Sequence, residues 1–260
     1  MISKLTGERV LQPGAVGAAI LLWLLAAGFA HGQNAPGGED SGLVVRALGN
    51  ELKAAQDSSH PMEYQLRKSS PRLISVKAIV ETRDGAVARL LSINDSAPSA
   101  SDRQKDEARL DALLADPSRQ RKRKQSEQDD TGRALKVLRA LPRAFLYQAS
   151  GIEFDGPTEL AQYTFTPNQK FSSNDLELMV LTAMSGTLTI DVTHERVMRL
   201  EGHLQQDVDI GWGILGRLDK GGWIVIEQAD IGGGQWRIVR FQMVMSGRVF
   251  FKSRSFNTTG

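Results

Sequence analysis

The sequence predicts an α+β fold: a large antiparallel, strongly curved sheet, a half-open barrel, packed against a few helices. Three observations predict it. Residues 186–222 hold a long alternation of apolar and polar side chains, short turns link most of the later strands, and helical patterns are confined to three segments. Within the alternating stretch, Met198, Leu200, Gly202, Leu204, Val208, Ile210 and Trp212 share one parity. Arg199, Glu201, His203, Gln205, Asp207 and Asp209 share the other, and Gln206 is the one polar intruder in the first set. Period-two alternation gives a strand one dry face and one wet face. The apolar set is therefore expected inside, with Glu201, His203 and Asp207 outside.

Residues 1–32 stand apart from the fold. Lys4 and Arg9 precede an apolar run, Ala15 to Ala27, and the small residues Gly28, Ala30 and Gly32 follow. That is the layout of a secretory signal peptide; the alternative is an uncleaved membrane anchor. The run is shorter than the roughly 20 residues a spanning helix needs. The expectation is an exported chain, periplasmic or in the cell envelope if bacterial, whose residues 33–260 form a single domain. A formal net charge of +2 supports no general claim of nucleic-acid binding. With no cysteine, disulfides, thiolate metal sites and thiol nucleophiles are excluded.

The first helix is expected from about Asp40 to Gln56, with Leu43, Val44, Ala47, Leu48, Leu52 and Ala55 on its apolar stripe and Arg46, Asn50, Glu51 and Lys53 directed elsewhere. Strands follow at Glu63 to Lys68 and around Ile74 to Val80. Asp84-Gly85 predicts a tight type I′ hairpin before the return strand carrying Val87, Leu91 and Ile93. A charged helical insert spans about 100–141, divided at Pro117 and Gly132. Strands resume around Ala144 to Phe154 and Glu159 to Thr166, and a short helix runs from about Asn174 to Met184. Five strands finish the chain, at 185–192, 195–210, 222–231, 235–246 and 248–256. Short turns make an antiparallel meander their natural topology.

Several motifs invite chemistry. Gly211-Trp212-Gly213-Ile214-Leu215-Gly216 matches G-x-G-x-x-G after a strand. A dinucleotide site also needs a helix after the glycines, and only Arg217 to Lys220 separate them from Gly221-Gly222 and the next strand. No cofactor is expected. Glu201 and His203, alternate residues on one strand, lie ~6.8 Å apart and could share an ion, yet no third ligand comes at a short spacing, so no metal site is expected. Arg119, Arg121, Lys122, Arg123 and Lys124 offer contact with a membrane surface of anionic headgroups. The blander reading is a solvated helix face, offset by Glu127, Asp129 and Asp130. No catalytic residue is nominated, because no nucleophile elbow occurs; a hydrolase would need convergent polar groups the sequence does not reveal.

Aromatic residues gather towards the C-terminal end. Trp236 and Ile238 oppose Val239, Phe241 and Met243 in parity, so this part of the sheet reads as apolar on both faces. Such a sheet is either covered twice or holds a lipid on its concave side. The expected lining of an apolar-ligand site is Leu200, Leu204, Ile210, Trp212, Trp223, Trp236 and Phe241.

Gly186-Thr187-Leu188-Thr189-Ile190-Asp191, followed by Val197, Arg199, Leu200 and Glu201, resembles the outer-membrane lipoprotein-sorting superfamily. The likeness covers about fifteen residues in motif and most of the mature chain in architecture. It implies a half-open barrel around a helical lid, holding acyl chains or other lipids on its concave face. The charged insert and the glycine crossover depart from that pattern. The run Asp209-x-Gly211-Trp212-Gly213-x-Leu215-Gly216-x-Leu218-Asp219-Lys220-Gly221-Gly222 is also similar to uncharacterised secreted bacterial proteins. The functional expectation is an exported, carrier-like protein whose partner is a lipid or a lipidated protein. The alternative is a structural or assembly protein of the envelope with a self-filled core and no ligand.

Overall fold

The computed structural model describes residues 41–57, 59–70, 72–210, 216–249 and 252–259. The expected signal peptide and residues 211–215 lie outside them. The described elements run α1 (Gly42–Gln56), β1 (Glu63–Ser70), β2 (Leu73–Val80), β3 (Val87–Ile93), α2 (Ala100–Ala115) and α3 (Pro117–Ala144). Next come β4 (Phe145–Asp155), β5 (Thr158–Pro167), α4 (Leu176–Met179) with a 3-10 turn at Val180–Ala183, β6 (Met184–Asp191) and β7 (Arg196–Leu204). The chain continues with β8 (Val208–Ile210), β9 (Gly216–Leu218), β10 (Trp223–Asp230), β11 (Trp236–Val249) and β12 (Lys252–Thr259).

All described strand pairings are antiparallel, in the order β3-β2-β1-β12-β11-β10-β7-β6-β5-β4, with β8 and β9 attached beside β11. The sheet stays open, with β3 and β4 at its two ends, and is not closed into a barrel. The α+β expectation of a large antiparallel sheet against a few helices holds. One joint is thin: among the described residues β1 meets β12 at a single register pair, Ser69 with Thr259, whereas β1 and β2 pair along their whole length. Strands β1 to β3 thus form a three-stranded leaf beside the larger sheet.

Helix α3 ties the two parts together. Its 28 residues extend about 42 Å at roughly 1.5 Å per residue. Asp116 caps it by accepting the Ser118 and Arg119 amides, with Pro117 in the first turn, where a missing N–H costs nothing. The expected break at Pro117 occurs. The one at Gly132 does not, because a single exposed glycine costs a helix only about 1 kcal/mol. The first half of α3 lies against the leaf, where Glu127 accepts the Ala86 amide at 3.3 Å. The second half buries Ala140, Leu141 and Ala144 in the main core, together with Val44, Ala47 and Leu48 of α1, Phe165, Leu188, Ile190 and Leu204. The leaf has a small core of its own, Ile79, Ala86 and Ala88.

β-Bulges, which insert one unpaired residue and bend a strand, account for two departures from strict alternation. In β7 the register shifts opposite Thr189 and Ile190, so Ile190 pairs with Val197 and Thr189 with Arg199. Met198 is the inserted residue, and Val197 takes its place in the core. The expectation that Met198 faces the interior is corrected by that one-residue insertion. In β11 the shift lies between Ile238 and Arg240, opposite Glu227/Gln228, and leaves Val239 over. Trp236 and Ile238 therefore share the face of Phe241 and Met243 despite their opposite parity. The apolar pattern on both parities reflects a bulge.

Two further expectations change. The predicted strand 195–210 divides into β7 and β8 at Gln205–Asp207, where the polar intruder Gln206 sits. The Asp84-Gly85 hairpin is a six-residue connection between Val80 and Val87. Gly85 alone of the pair takes positive φ, and a type I′ turn needs it at both central positions. Thr82 instead organises the loop, its Oγ1 donating to the Gly85 carbonyl.

Candidate functional site

Helix α1 packs against β7 and α3, and its attachment builds a chemically varied site. Val44, Ala47 and Leu48 are buried on its apolar stripe, and Glu51 falls on the same stripe at the next turn. The sequence reading directed Glu51 away from the core. The spacing 44, 47, 48, 51 is an i, i+3, i+4, i+7 series, which carries it inward. Its carboxylate accepts Arg196 Nε at 2.8 Å, Arg196 Nη2 at 3.0 Å and the Val197 amide at 3.0 Å. This is a bidentate, charge-assisted arrangement completed by a backbone donor. Around it, Arg46 Nε donates to Glu195 Oε1 at 2.6 Å and Asn50 Nδ2 to the Glu195 carbonyl at 3.2 Å.

The β6–β7 turn that α1 grips is organised by Asp191. This residue is buried, accepts the His194 amide at 2.8 Å and lies 2.8 Å from His194 Nδ1. The His194 ring stands 5.6 Å from that of Trp236, and the Arg196 guanidinium lies 5.3 Å over the same indole. Between these groups and the C-terminal half of α1 opens a cleft of about 560 Å³ lined by Asn50, Lys53, Ala54, Asp57, His194, Arg196, Gly234 and Trp236. Asp57 is tied by hydrogen bonds from Ser59, which hold its carboxyl below the usual carboxylate range. The lining brings together an ammonium, a guanidinium, an imidazole, a carboxylate and an amide, which can hydrogen-bond and pair charge with a ligand.

From the cleft, the inner face of β11 leads away as an apolar strip. Trp236, Ile238, Phe241, Met243 and Met245 share that face, the bulge at Val239 keeping them together. Cross-strand pairing sets Leu188, Leu200, Ile226 and Phe241 in one row over β6, β7, β10 and β11. Burial falls along the row: Leu188 is sealed, while Leu200, Ile226 and Phe241 are half-buried. Among the described residues, α1, α3 and the 3-10 turn pack against β7, β4 and β5 respectively, and the inner face is less buried from Leu200 to Phe241 than at Leu188.

Of the residues expected to line an apolar-ligand site, Leu200, Leu204, Trp236 and Phe241 lie on this inner face. Leu204 is packed in the main core. Trp223 pairs with His203 and Val244, opposite in parity to the inward Ile224, and so lies on the outer face. Trp212 and the side chain of Ile210 lie outside the described residues. Glu201 and His203 are also on the outer face, as expected. They are hydrogen-bonded to each other at 3.0 Å, and Arg199 donates to Glu201 at 2.9 Å. These two neighbours hold the Glu201 carboxyl below its ordinary value.

The basic run does not form one surface. Arg123 is buried, with Nε 3.1 Å from Glu127. Arg119 pairs with Asp116 at 3.2 Å and Lys124 with Asp84 at 3.5 Å. Arg121 and Lys122 stand exposed. No described helix is long and apolar enough to cross a membrane.

Comparison with known proteins returns nothing similar: no family model matches the chain, and no curated protein or solved structure matches it.

Proposed function

We propose that this is an exported binding protein for an amphipathic ligand, a lipid or the acyl chain of a lipidated protein. The polar head would occupy the cleft beneath α1, and the apolar tail would lie along the inner face of β11. The observation that carries this reading is their adjacency: the cleft opens at Trp236, the residue from which the half-buried strip begins. Lys53 supplies a surface ammonium and His194 and Asn50 supply hydrogen-bonding groups for a head. Met243, half-buried on the strip, makes it adaptable to tails of different shape. From Trp236 to Met243, with Val239 bulged out, it extends about 20 Å at ~3.4 Å per residue, the order of a common acyl chain. The resemblance of the β6–β7 stretch to the lipoprotein-sorting superfamily points the same way.

The test is native mass spectrometry of protein gently purified from an exporting host, followed by titration with a fluorescent fatty acid. Co-purified lipid and saturable uptake are expected, with uptake weakened about tenfold or more by Lys53→Glu combined with Phe241→Asp. Protein that carries no lipid and takes up none would overturn the reading. A second reading, an assembly protein with a self-filled core, draws support from Leu188 at 1%, Ile190 at 0% and Leu204 at 2% exposure, all in one core with residues of α1 and α3. Absence of uptake favours it.

A further inference from the structure

The two edges of the open sheet are treated in opposite ways. An edge strand presents a row of unpaired amides and carbonyls, and proteins commonly block it. At the β3 end the blocking is explicit. Asp106 Oδ2 of α2 accepts the Leu90 amide at 2.8 Å, Arg109 donates to the Ala88 carbonyl, and Glu127 of α3 accepts the Ala86 amide. At the other end nothing comparable among the described residues covers β4. Nine of its eleven residues are exposed, among them Leu146 at 52%, Ile152 at 61% and Phe154 at 71%. The strand contains no proline or lysine, the usual residues that spoil an edge.

The arrangement of these side chains says what would fit there. β4 pairs Tyr147 with Phe165 and Ala149 with Tyr163, then shifts register, so that Ile152 faces Ala161 and Phe154 faces Glu159. Phe165, Tyr163 and Ala161 all point into the main core. The shift therefore brings Ile152 and Phe154 onto the same face as Phe145 and Tyr147. Without it they would share the outer face with Leu146. Two copies of β4 set antiparallel about a two-fold axis perpendicular to the sheet keep their faces matched. In the register that does so, Phe145 lies opposite Phe154 of the second copy and Tyr147 opposite its Ile152. Both are aromatic-rich apolar pairs, and they extend the Phe145–Tyr147–Phe165 ring cluster across the joint. On the outer face Leu146 meets Glu153 and Gln148 meets Gly151. Neither acidic residue of the strand meets another, and the chain's formal net charge of +2 adds little repulsion.

We propose that β4 is a self-association edge, through which two copies of this chain join their sheets into one continuous antiparallel sheet. Sedimentation velocity over a micromolar concentration series of the full chain, as exported, tests it. A concentration-dependent dimer is expected, and Ile152→Lys with Phe154→Lys should weaken it about tenfold or more. Both side chains are exposed, so the variant should keep the wild-type unfolding midpoint. The chain's lack of cysteine allows a register test. Leu146→Cys with Glu153→Cys places each thiol opposite its counterpart in the second copy, while ~20 Å of strand separates the two within one chain. Oxidation should yield a covalent dimer held by two disulfides. A chain that stays monomeric, a dimer that the lysine variant leaves intact, or a dimer that the cysteine variant does not cross-link would each overturn the proposal.

Discussion

Glu51 is the residue on which the α1 attachment turns. It is one of the few carboxylates that the fold buries, and two arginine nitrogens and one amide are arranged around it. Removing one partner of a buried pair leaves the other charge uncompensated, at a cost of about 3–5 kcal/mol. Glu51→Ala should lower stability by that order in urea denaturation and expose α1 to proteolysis before the sheet. Glu127 predicts a pH effect of definite sign. Burial holds its carboxyl above the usual carboxylate range, against the pull of Arg123 and of the Ala86 amide. A carboxyl with a raised folded-state pKa binds protons more tightly in the folded chain. Its contribution to stability is thus fully present at low pH, and is lost as pH rises from the ordinary 4.5 through the raised value. The stability of the wild type relative to Glu127→Gln should decline over that rise, as read from urea midpoints at each pH. Neither residue was legible as functional in the sequence, for different reasons. Glu51 lay on a readable stripe that its charge disguised. Glu127 looked like a solvated counter-charge to the basic run, because the leaf it meets is folded from residues some forty positions earlier.

At the scale of elements, the positions of helices and strands were mostly legible, since periodicity is a local property. The register shifts were not, because a bulge is decided by what the neighbouring strand requires. Alternation that breaks, as at Val197–Met198 and at Ile238–Val239, records a bulge only after the partner strand is known. The candidate cleft was illegible for the same reason. Of its lining, Trp236 alone was singled out as ligand-lining from the sequence, and Arg196, His194 and Lys53 come together only when α1 crosses the β6–β7 turn. Two element-scale variants follow. Gly132 sits exposed in the middle of α3 with no atom near the position of a Cβ, so Gly132→Ala should stabilise the protein by about 0.5–1 kcal/mol, seen as a rise in Tm. Asp106→Ala removes the acceptor of the Leu90 amide at the β3 edge, which should cost about 1–3 kcal/mol. It should also raise light scattering on mild heating, as an unblocked edge becomes available for pairing.

In the whole molecule, α3, the thin β1–β12 joint and the contact of Arg237 in β11 with Met62 before β1 link the leaf to the larger sheet among the described residues. The sequence announced α3 as part of a charged helical insert at about 100–141, and its mostly polar faces suit a helix that bridges the small core of the leaf and the main core. If α3 couples the two parts, interrupting it should uncouple them. Gly132→Pro, which breaks a helix interior at about 3 kcal/mol or more, should split a single unfolding transition into two. Hydrogen exchange should show the leaf opening first, and a variant that still unfolds in one step would show that the coupling lies elsewhere.

The joint between Ser69 and Thr259 has a consequence in time as well as in space. The chain is made N-terminus first, so β1 exists long before β12 can reach it, with nearly two hundred residues of chain between the two paired positions. Closing so long a loop is slow and entropically costly, and only the late strand rewards it. A newly made chain would carry the leaf tethered mainly through α3, without its strand pairing to the larger sheet, until the final described strand arrives. The time at which the two sheets become one is therefore set by the arrival of β12.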